Sequence, residues 1–205
     1  LDFKYDPTDN EWTPIEEVLE NLNHLVKSGK VRYVGLSNET PWGILNFLKI
    51  ADKKKLPRMM SVQNCYSLVN RVFDIANSEV SIRENCGLLA YSPLAGGRLS
   101  GKYMDEKKPK NSRYTLWPQR FSRHHTKRGE LAITKYVNLA KKYNILPSTF
   151  ANAFVINRPF VTSNVIGATS IKHLEENINS IDITLTDEMK NDIEDIHLSD
   201  PNPCV

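Results

Sequence analysis

The chain has 205 residues, of which 40% are apolar and 25% are charged, and its formal net charge is +3. A chain of this length and composition can bury a sizeable core, so we expect one globular domain. No run approaches the roughly 18 uninterrupted apolar residues of a membrane span, and no signal-peptide pattern opens the chain. This argues against a membrane or secreted protein and favours a cytoplasmic one.

Three cysteines, Cys65, Cys86 and Cys204, are unevenly spaced and form no CxxC pair. This spacing favours reduced thiols in an intracellular setting over a disulfide framework or a zinc site. The chain begins with Leu1 rather than methionine, so we expect either a processed protein or a fragment.

The first predicted element is a helix. Thr13 stands at its cap, Pro14 at its first position and Glu16 three residues beyond the cap, which is the pattern of a capping box. Apolar residues then follow at helical spacing until Gly29, where the helix ends. An apolar, partly β-branched segment over 31–36 predicts the first strand.

Two more helix and strand pairs follow. A helix begins at Thr40 and ends before Pro57, and a strand over 59–62 comes next. A helix over about 74–84 precedes the strand over 88–91. Strands separated by single helices are typical of successive right-handed βαβ units in a parallel sheet.

The second half opens with an irregular stretch as far as about residue 126, longer than an ordinary connection and therefore functional or mobile. Helices are predicted over 127–143 and 148–157, followed by a strand over 161–166. Ser170 is expected to cap the next helix and Thr186 the last one.

All four predicted strands end in polar residues. In a parallel α/β sheet the carboxyl ends of the strands line one face, where ligands bind. The alternative for each residue is an ordinary structural role, such as a helix cap. The residues are Ser37 and Asn38, Gln63 and Asn64, Ser92, and Thr169 and Ser170.

The third strand leads into a glycine-rich turn, LLAYSPLAGGRLSGKY, over 88–103. Its glycines allow the backbone to approach a ligand closely, its serines offer hydroxyl groups, and Arg98 and Lys102 supply positive charge. This chemistry suits a phosphate, although an ordinary surface loop has a similar composition.

Four motifs, VRYVGLSN, SVQNCYSLVNR, AYSPLAGGRLSGKY and NVIGATSIKHLEENI, occur in this order. Together they resemble the aldo-keto reductase superfamily, most closely its Tas-like branch and more distantly the potassium-channel β-subunits. The resemblance implies a (β/α)₈ TIM barrel that binds NADPH without a Rossmann fingerprint, and no GxGxxG occurs here. It implies a single reductase domain over 1–205, truncated at its N-terminus to the C-terminal half of the barrel, with about four parallel strands and surrounding helices.

The resemblance also implies roles for individual residues in cofactor binding. Ser37, Asn38 and Gln63 would hold the nicotinamide carboxamide, and Tyr66 would stack on the nicotinamide ring. The pyrophosphate would lie against Ser92, Pro93, Leu94, Gly96 and Leu99, with Arg98 or Lys102 nearby. The adenosine end would meet Gly167, Thr169, His173, Glu176 and Asn177.

Two features depart from the family pattern at the adenosine end. His173 stands where a glutamine is common, and no arginine follows Thr169 in that turn. Lys172 is the nearest cation, so the expected cofactor is NADPH with NADH as an alternative.

The family's catalytic tyrosine, lysine, aspartate and histidine belong to the first four strands of the barrel. The chain is expected to begin just after the fourth strand, so we assign no catalytic residue. The expected function is NAD(P)H-dependent reduction of aldehydes and ketones by hydride transfer, with this chain inactive alone. The alternative is a non-catalytic nucleotide-sensing module of the channel-subunit type.

The segment 107–128 is rich in basic residues. A nucleic-acid patch is the less favoured interpretation, and a solvated loop or a flap over the cofactor phosphates is favoured. Adjacent histidines point in different directions, so we expect no metal site. The basic residues are Lys108, Lys110, Arg113, Arg120, Arg123, His124, His125 and Lys127.

Overall fold

The computed structural model describes residues 12–118 and 122–205, together with Asp6 and Thr8. The strands in this part of the chain are β1 (Val34–Ser37), β2 (Met59–Cys65), β3 (Gly87–Tyr91) and β4 (Val161–Val165). The α-helices there are α1 (Ile15–Lys27), α2 (Pro41–Lys54), α3 (Asn77–Arg83), α4 (Arg113–Leu116), α5 (Lys127–Lys142), α6 (Pro147–Ile156), α7 (Ile171–Ile178) and α8 (Asp187–Ser199).

The four strands form one sheet in the order β1-β2-β3-β4, and every neighbouring pair is parallel. This confirms the predicted parallel α/β arrangement with four strands and surrounding helices. The boundaries differ from those expected, since β1 begins at Val34 rather than residue 31 and β2 continues as far as Cys65. None of the helices in the described segments has the length and apolarity needed to cross a bilayer.

The two faces of the sheet differ in burial. Val62, Leu88 and Ala90 point to the face that the helices cover, and each is buried. Side chains alternate along a strand, so Gln63 and Tyr91 point to the opposite face, where they remain partly exposed. The opposite face is therefore the one on which a ligand could be placed.

Helix α6 forms the centre of the core beneath the sheet. Its sequence is apolar on nearly all sides, and it contacts β4, α5 and α7. Phe150 and Phe154 are almost fully buried within it. A helix that is apolar all round is stable only when other elements surround it, which is the position α6 occupies.

Helix caps account for three of the predicted helix starts. Thr40, Ser170 and Thr186 each accept a hydrogen bond from the backbone N–H three residues later. The expected cap at Thr13 is wrong, because α1 begins after Pro14 and no side chain caps it. A cap of this kind contributes about 1 kcal/mol to stability.

The stretch between β3 and α5 contains only short helical segments among its described residues. Three-residue to six-residue 3₁₀ turns cover Ala95–Ser100, Met104–Glu106 and Ser122–His124, and α4 lies between the last two. The prediction of a long connection is confirmed, and Arg120 of the predicted basic patch lies outside the described residues.

Candidate functional site

Ser37, Gln63 and Tyr91 lie at the carboxyl ends of neighbouring strands. Ser37 pairs with Gln63 across β1 and β2, and Cys65 pairs with Tyr91 across β2 and β3. Because paired residues share a face and side chains alternate along each strand, Ser37, Gln63 and Tyr91 all point to the same face of the sheet. This is the face opposite to the helices, and we call it the uncovered face. The predicted meeting of polar strand ends is thus observed for β1 to β3.

Asn38 connects the ends of these three strands. It follows β1 in the left-handed region, with φ of +53°, which asparagine tolerates better than most residues. Its backbone N–H donates to the carbonyl of Gln63 at 2.9 Å, and its Oδ1 accepts from the Tyr91 hydroxyl at 2.9 Å. Its Nδ2 donates to Ser37 Oγ at 3.4 Å. Asn38 therefore holds the strand ends in a fixed arrangement.

Asn64 has a structural role at the same edge. Its Oδ1 accepts from the backbone N–H of Glu39 and its Nδ2 donates to the carbonyl of Glu39, both at 3.2 Å. This reciprocal pair fixes the turn between β1 and α2 to the end of β2.

The side-chain amide of Gln63 differs from its neighbours because it has no hydrogen-bond partner within the described part of the chain. The side chain is only partly exposed. An amide has two donors and an acceptor that can pair with a ligand group in the same plane. The amide of Gln63 can therefore form hydrogen bonds with a ligand at this edge of the sheet.

The structure contradicts the expected role of Tyr66. Its ring is 0% exposed, stacks on Phe154 at 5.8 Å and packs edge-on against Phe160 at 5.4 Å. Its hydroxyl donates to Asp74 Oδ1 at 2.7 Å, and burial raises the pKa of Tyr66. A ring enclosed in the core offers no face to a ligand on the other side of the sheet.

Tyr91 is the aromatic ring that sequence reasoning missed. It is the last residue of β3 and points to the uncovered face. Burial raises its pKa, so the hydroxyl stays protonated and donates to Asn38. The sequence signal that could have identified it is its position directly before Ser92, at the carboxyl end of the predicted strand.

The glycine-rich turn folds against the body of the protein. Gly96 and Gly97 have φ of +68° and +98°, and a Cβ at Gly96 would collide with the Tyr114 hydroxyl. Leu99 and Pro93 are buried and anchor the turn, Leu94 is half-buried, and Ser92 has φ of +59°. The close approach of chain to chain at Gly96 explains why a side chain is absent there.

The two cations of the turn are placed differently. Arg98 donates to Glu130 Oε1 at 2.9 Å, pairs with His125 Nδ1 at 2.8 Å and lies over the Tyr114 ring, while its Nε is buried without a partner among the described residues. Lys102 is exposed, with its ammonium 5.2 Å from the ring of Tyr103. Lys102 is thus the more available of the two.

Tyr114 and His124 fasten the basic segment to the glycine turn. The Tyr114 hydroxyl donates to the carbonyl of Ala95 at 3.1 Å and lies 2.7 Å from His124 Nδ1. Burial, helped by nearby Arg123 and Arg98, lowers the pKa of His124 to about 3, so this histidine is neutral. The described residues contain no cluster of His, Cys, Asp and Glu that could hold a metal.

The residues expected at the adenosine end lie on α7 or just before it. Gly167, Thr169 and His173 are exposed, and Thr169 Oγ1 lies 3.3 Å from His173 Nδ1. Glu176 Oε2 accepts from Ser148 at 3.4 Å. Asn177 is only 6% exposed, and its Oδ1 accepts a hydrogen bond from Asn152 Nδ2 on α6 at 2.8 Å. No hydrogen bond joins this group to the side chain of Gln63 in the described part of the chain.

Parallel strands with helices on one side and polar residues at their carboxyl ends are consistent with part of an α/β barrel, a fold whose ligands bind at that end of the strands. The sequence profile of the aldo/keto reductase family matches residues 6–197. The chain belongs to the aldo/keto reductase family.

Individual relatives agree with this assignment. Protein Tas of Escherichia coli (strain K12) is 41% identical over 192 residues, covering 91% of this chain and 55% of Tas. An aldo-keto reductase of Babesia bovis is 38% identical over 197 residues, covering 92% of this chain and 69% of that reductase. L-glyceraldehyde 3-phosphate reductase of Escherichia coli (strain K12) is 30% identical over 191 residues, covering 88% of this chain and 53% of that reductase. The resemblance to the Tas-like branch is confirmed, and the chain spans about half the length of most of these relatives.

Proposed function

We propose that residues 1–205 are part of a single reductase domain that binds NADPH, with NADH as a second choice, and reduces small aldehydes or ketones to alcohols. Family membership supports the reaction class, and the name of the relative L-glyceraldehyde 3-phosphate reductase supports a carbonyl substrate. The sheet supports the position of the site, since its uncovered face carries the polar strand ends.

The observation that carries this proposal is the unpaired amide of Gln63 at the end of β2. A nicotinamide carboxamide presents the complementary donor and acceptor in one plane. Pairing with it would satisfy Gln63 and fix which face of the ring is presented to the substrate. Ser37 and Asn38 lie beside Gln63 and supply further polar atoms.

Tyr91 is our proposed platform for the nicotinamide ring in place of Tyr66. It is half-buried on the same face as Gln63, and its bond to Asn38 restricts the ring to one orientation. An aromatic ring held in this way loses little freedom when a second ring stacks on it.

The dinucleotide would extend from this platform to the glycine turn and α7. Ser92, Gly96, Arg98 and Lys102 would meet the pyrophosphate, with buried Pro93 and Leu99 and half-buried Leu94 shaping the turn. The exposed ammonium of Lys102 supports an anionic group at this turn, because a phosphate can reach it without breaking the Arg98–Glu130 ion pair. Gly167, Thr169, His173, Glu176 and Asn177 would receive the adenosine.

When bound, a reduced nicotinamide supplies a hydride to the carbonyl carbon, while the carbonyl oxygen takes up a proton. The residues described here orient the ring and neutralise the phosphates. Neither of the two tyrosines at these strand ends suits the proton donor: Tyr66 is enclosed in the core, and Tyr91 donates to Asn38. We therefore expect this chain to bind cofactor without turning over a carbonyl substrate.

The test is titration of the purified chain with NADPH, followed by quenching of tryptophan fluorescence. We expect saturable binding that Gln63→Ala weakens by about fivefold to tenfold, the equivalent of about one hydrogen bond. Asn138→Ala, an exposed amide on α5, is the matched control and should leave the affinity unchanged. A cooperatively folded chain that does not bind NADPH, or equal binding by Gln63→Ala, would refute the proposed site.

A further inference from the structure

Three asparagines form a chain of hydrogen bonds from the sheet to α7. Asn164 on β4 donates through Nδ2 to Asn152 Oδ1 on α6 at 3.0 Å. Asn152 then donates through its own Nδ2 to Asn177 Oδ1 at 2.8 Å. Asn152 is 0% exposed, so both halves of its amide are used inside the protein. We call Asn164, Asn152 and Asn177 the amide relay.

The amide relay has a direction. Because Asn152 accepts from one neighbour and donates to the other, the oxygen of Asn177 is directed inward. The Nδ2 of Asn177 has no hydrogen-bond partner in the described residues and is not sealed from solvent. At the opposite end, the Oδ1 of Asn164 is buried and unpartnered within the same residues. A donor is therefore left available at α7 and an acceptor is left unpaired at the sheet.

We propose that Asn152 is a positioning residue that fixes the orientation of the Asn177 amide, so that α7 presents a hydrogen-bond donor to the base of the dinucleotide. This rests on the proposed function, in which Asn177 receives the adenosine end. A donor pairs with a ring nitrogen, which both adenine and hypoxanthine possess. The 6-amino group of adenine, itself a donor, is not read by Asn177 in this orientation.

Reversing the relay should reverse this selectivity. Asn164→Asp replaces the donor at the sheet end with a carboxylate that only accepts. Asn152 would then donate to residue 164 and accept from Asn177 Nδ2, which directs the oxygen of Asn177 outward. That oxygen accepts a hydrogen bond from the 6-amino group of adenine. Hypoxanthine carries a carbonyl oxygen at the same position, and this oxygen cannot donate.

The first measurement needs neither a variant nor a ligand. Hydrogen exchange of the side-chain NH₂ groups in a ¹⁵N-labelled sample should show a protected Asn152 and a rapidly exchanging Asn177. Protection of Asn177 in the wild-type chain would overturn the proposal. In Asn164→Asp we expect the NH₂ of Asn177 to become protected.

The second measurement compares the dissociation constants of NADPH and its hypoxanthine analogue by fluorescence. We expect Asn164→Asp to raise the preference for NADPH by roughly tenfold over the wild-type ratio. Asn138→Asp introduces the same charge on exposed α5 and should leave the ratio unchanged. An unchanged ratio in folded Asn164→Asp, with NADPH still bound, overturns the inference alone. Failure of the wild-type chain to bind NADPH overturns the proposed function, and the exchange pattern still decides the direction of the relay.

Discussion

Replacing Tyr66 with phenylalanine should destabilise the protein without weakening its affinity for NADPH. The substitution keeps the ring, so the contacts with Phe154 and Phe160 remain. It removes only the hydroxyl that donates to Asp74 at 2.7 Å. Because that hydroxyl lies in the core, on the side of the sheet opposite to the site, cofactor binding should not depend on it.

The magnitude follows from the surroundings of Asp74. A hydrogen bond to a charged group contributes about 1.5–3 kcal/mol. The Asp74 side chain is 25% exposed and keeps its ion pair with Arg71 at 2.7 Å, so the lower end of this range applies. We expect a loss of about 1.5 kcal/mol in the free energy of unfolding. For a chain of this size, this corresponds to a fall in Tm of about 3–6 °C.

The assay is urea denaturation followed by circular dichroism, combined with NADPH titration of the same samples. Tyr91→Leu is the comparison, because it removes a half-buried ring from the uncovered face. We expect it to weaken NADPH binding by about twofold to tenfold, the equivalent of a ring stacking contribution. Its effect on stability should be smaller than its effect on affinity.

The opposite pattern would refute this reasoning. If Tyr66→Phe weakened NADPH binding while Tyr91→Leu did not, Tyr66 would be the ring at the site, as the family resemblance implied. An unchanged free energy of unfolding in Tyr66→Phe would show that the bond to Asp74 does not stabilise the fold.

Two further predictions concern stability. The Arg71 side chain is 8% exposed and bridges Asp74 and Glu194, so Arg71→Met should cost about 1.5–3 kcal/mol by leaving both carboxylates only their longer ion pairs with Arg158. The exposed pair of Arg83 is the control, and Arg83→Met should cost about 0.5 kcal/mol or less in the same urea titration; equal losses would contradict the argument. His124 has a pKa of about 3 in the fold, below its ordinary value of 6.5, so the unfolded chain binds the proton more readily. Stability should therefore fall as pH decreases from about 6.5 towards 3, and His124→Gln should flatten this slope by up to one bound proton in urea titrations across that range. A parallel pH profile in the variant would show that His124 is not the group responsible.

Much of the architecture follows from local features of the sequence. The apolar runs at β2 and β3 and the helical spacing between them predicted parallel strands, because a single helix between two strands connects them in parallel. The caps at Thr40, Ser170 and Thr186 were predictable because a cap bond joins residues only three apart in the chain. The meeting of the polar strand ends was also predictable, because parallel strands all have their carboxyl ends at one edge of the sheet.

The sequence did not determine which side chains reach that edge. Strand alternation would place Tyr66 on the helix side only if β2 continued to Cys65, and the apolar run suggested an end at Val62. The ring of Tyr66 is enclosed because Phe154, from a helix 88 positions later, packs against it. No local pattern reports a contact of that separation.

The charges and amides of the site depend on tertiary structure in the same way. The sequence determined that Arg98 lies in a glycine-rich turn, and only the fold brings Glu130 to neutralise it. The sequence likewise places Asn152 on an apolar helix, where it looks out of place. The fold supplies both of its partners from other elements, because a buried amide is stable only where its donor and its acceptor are satisfied together.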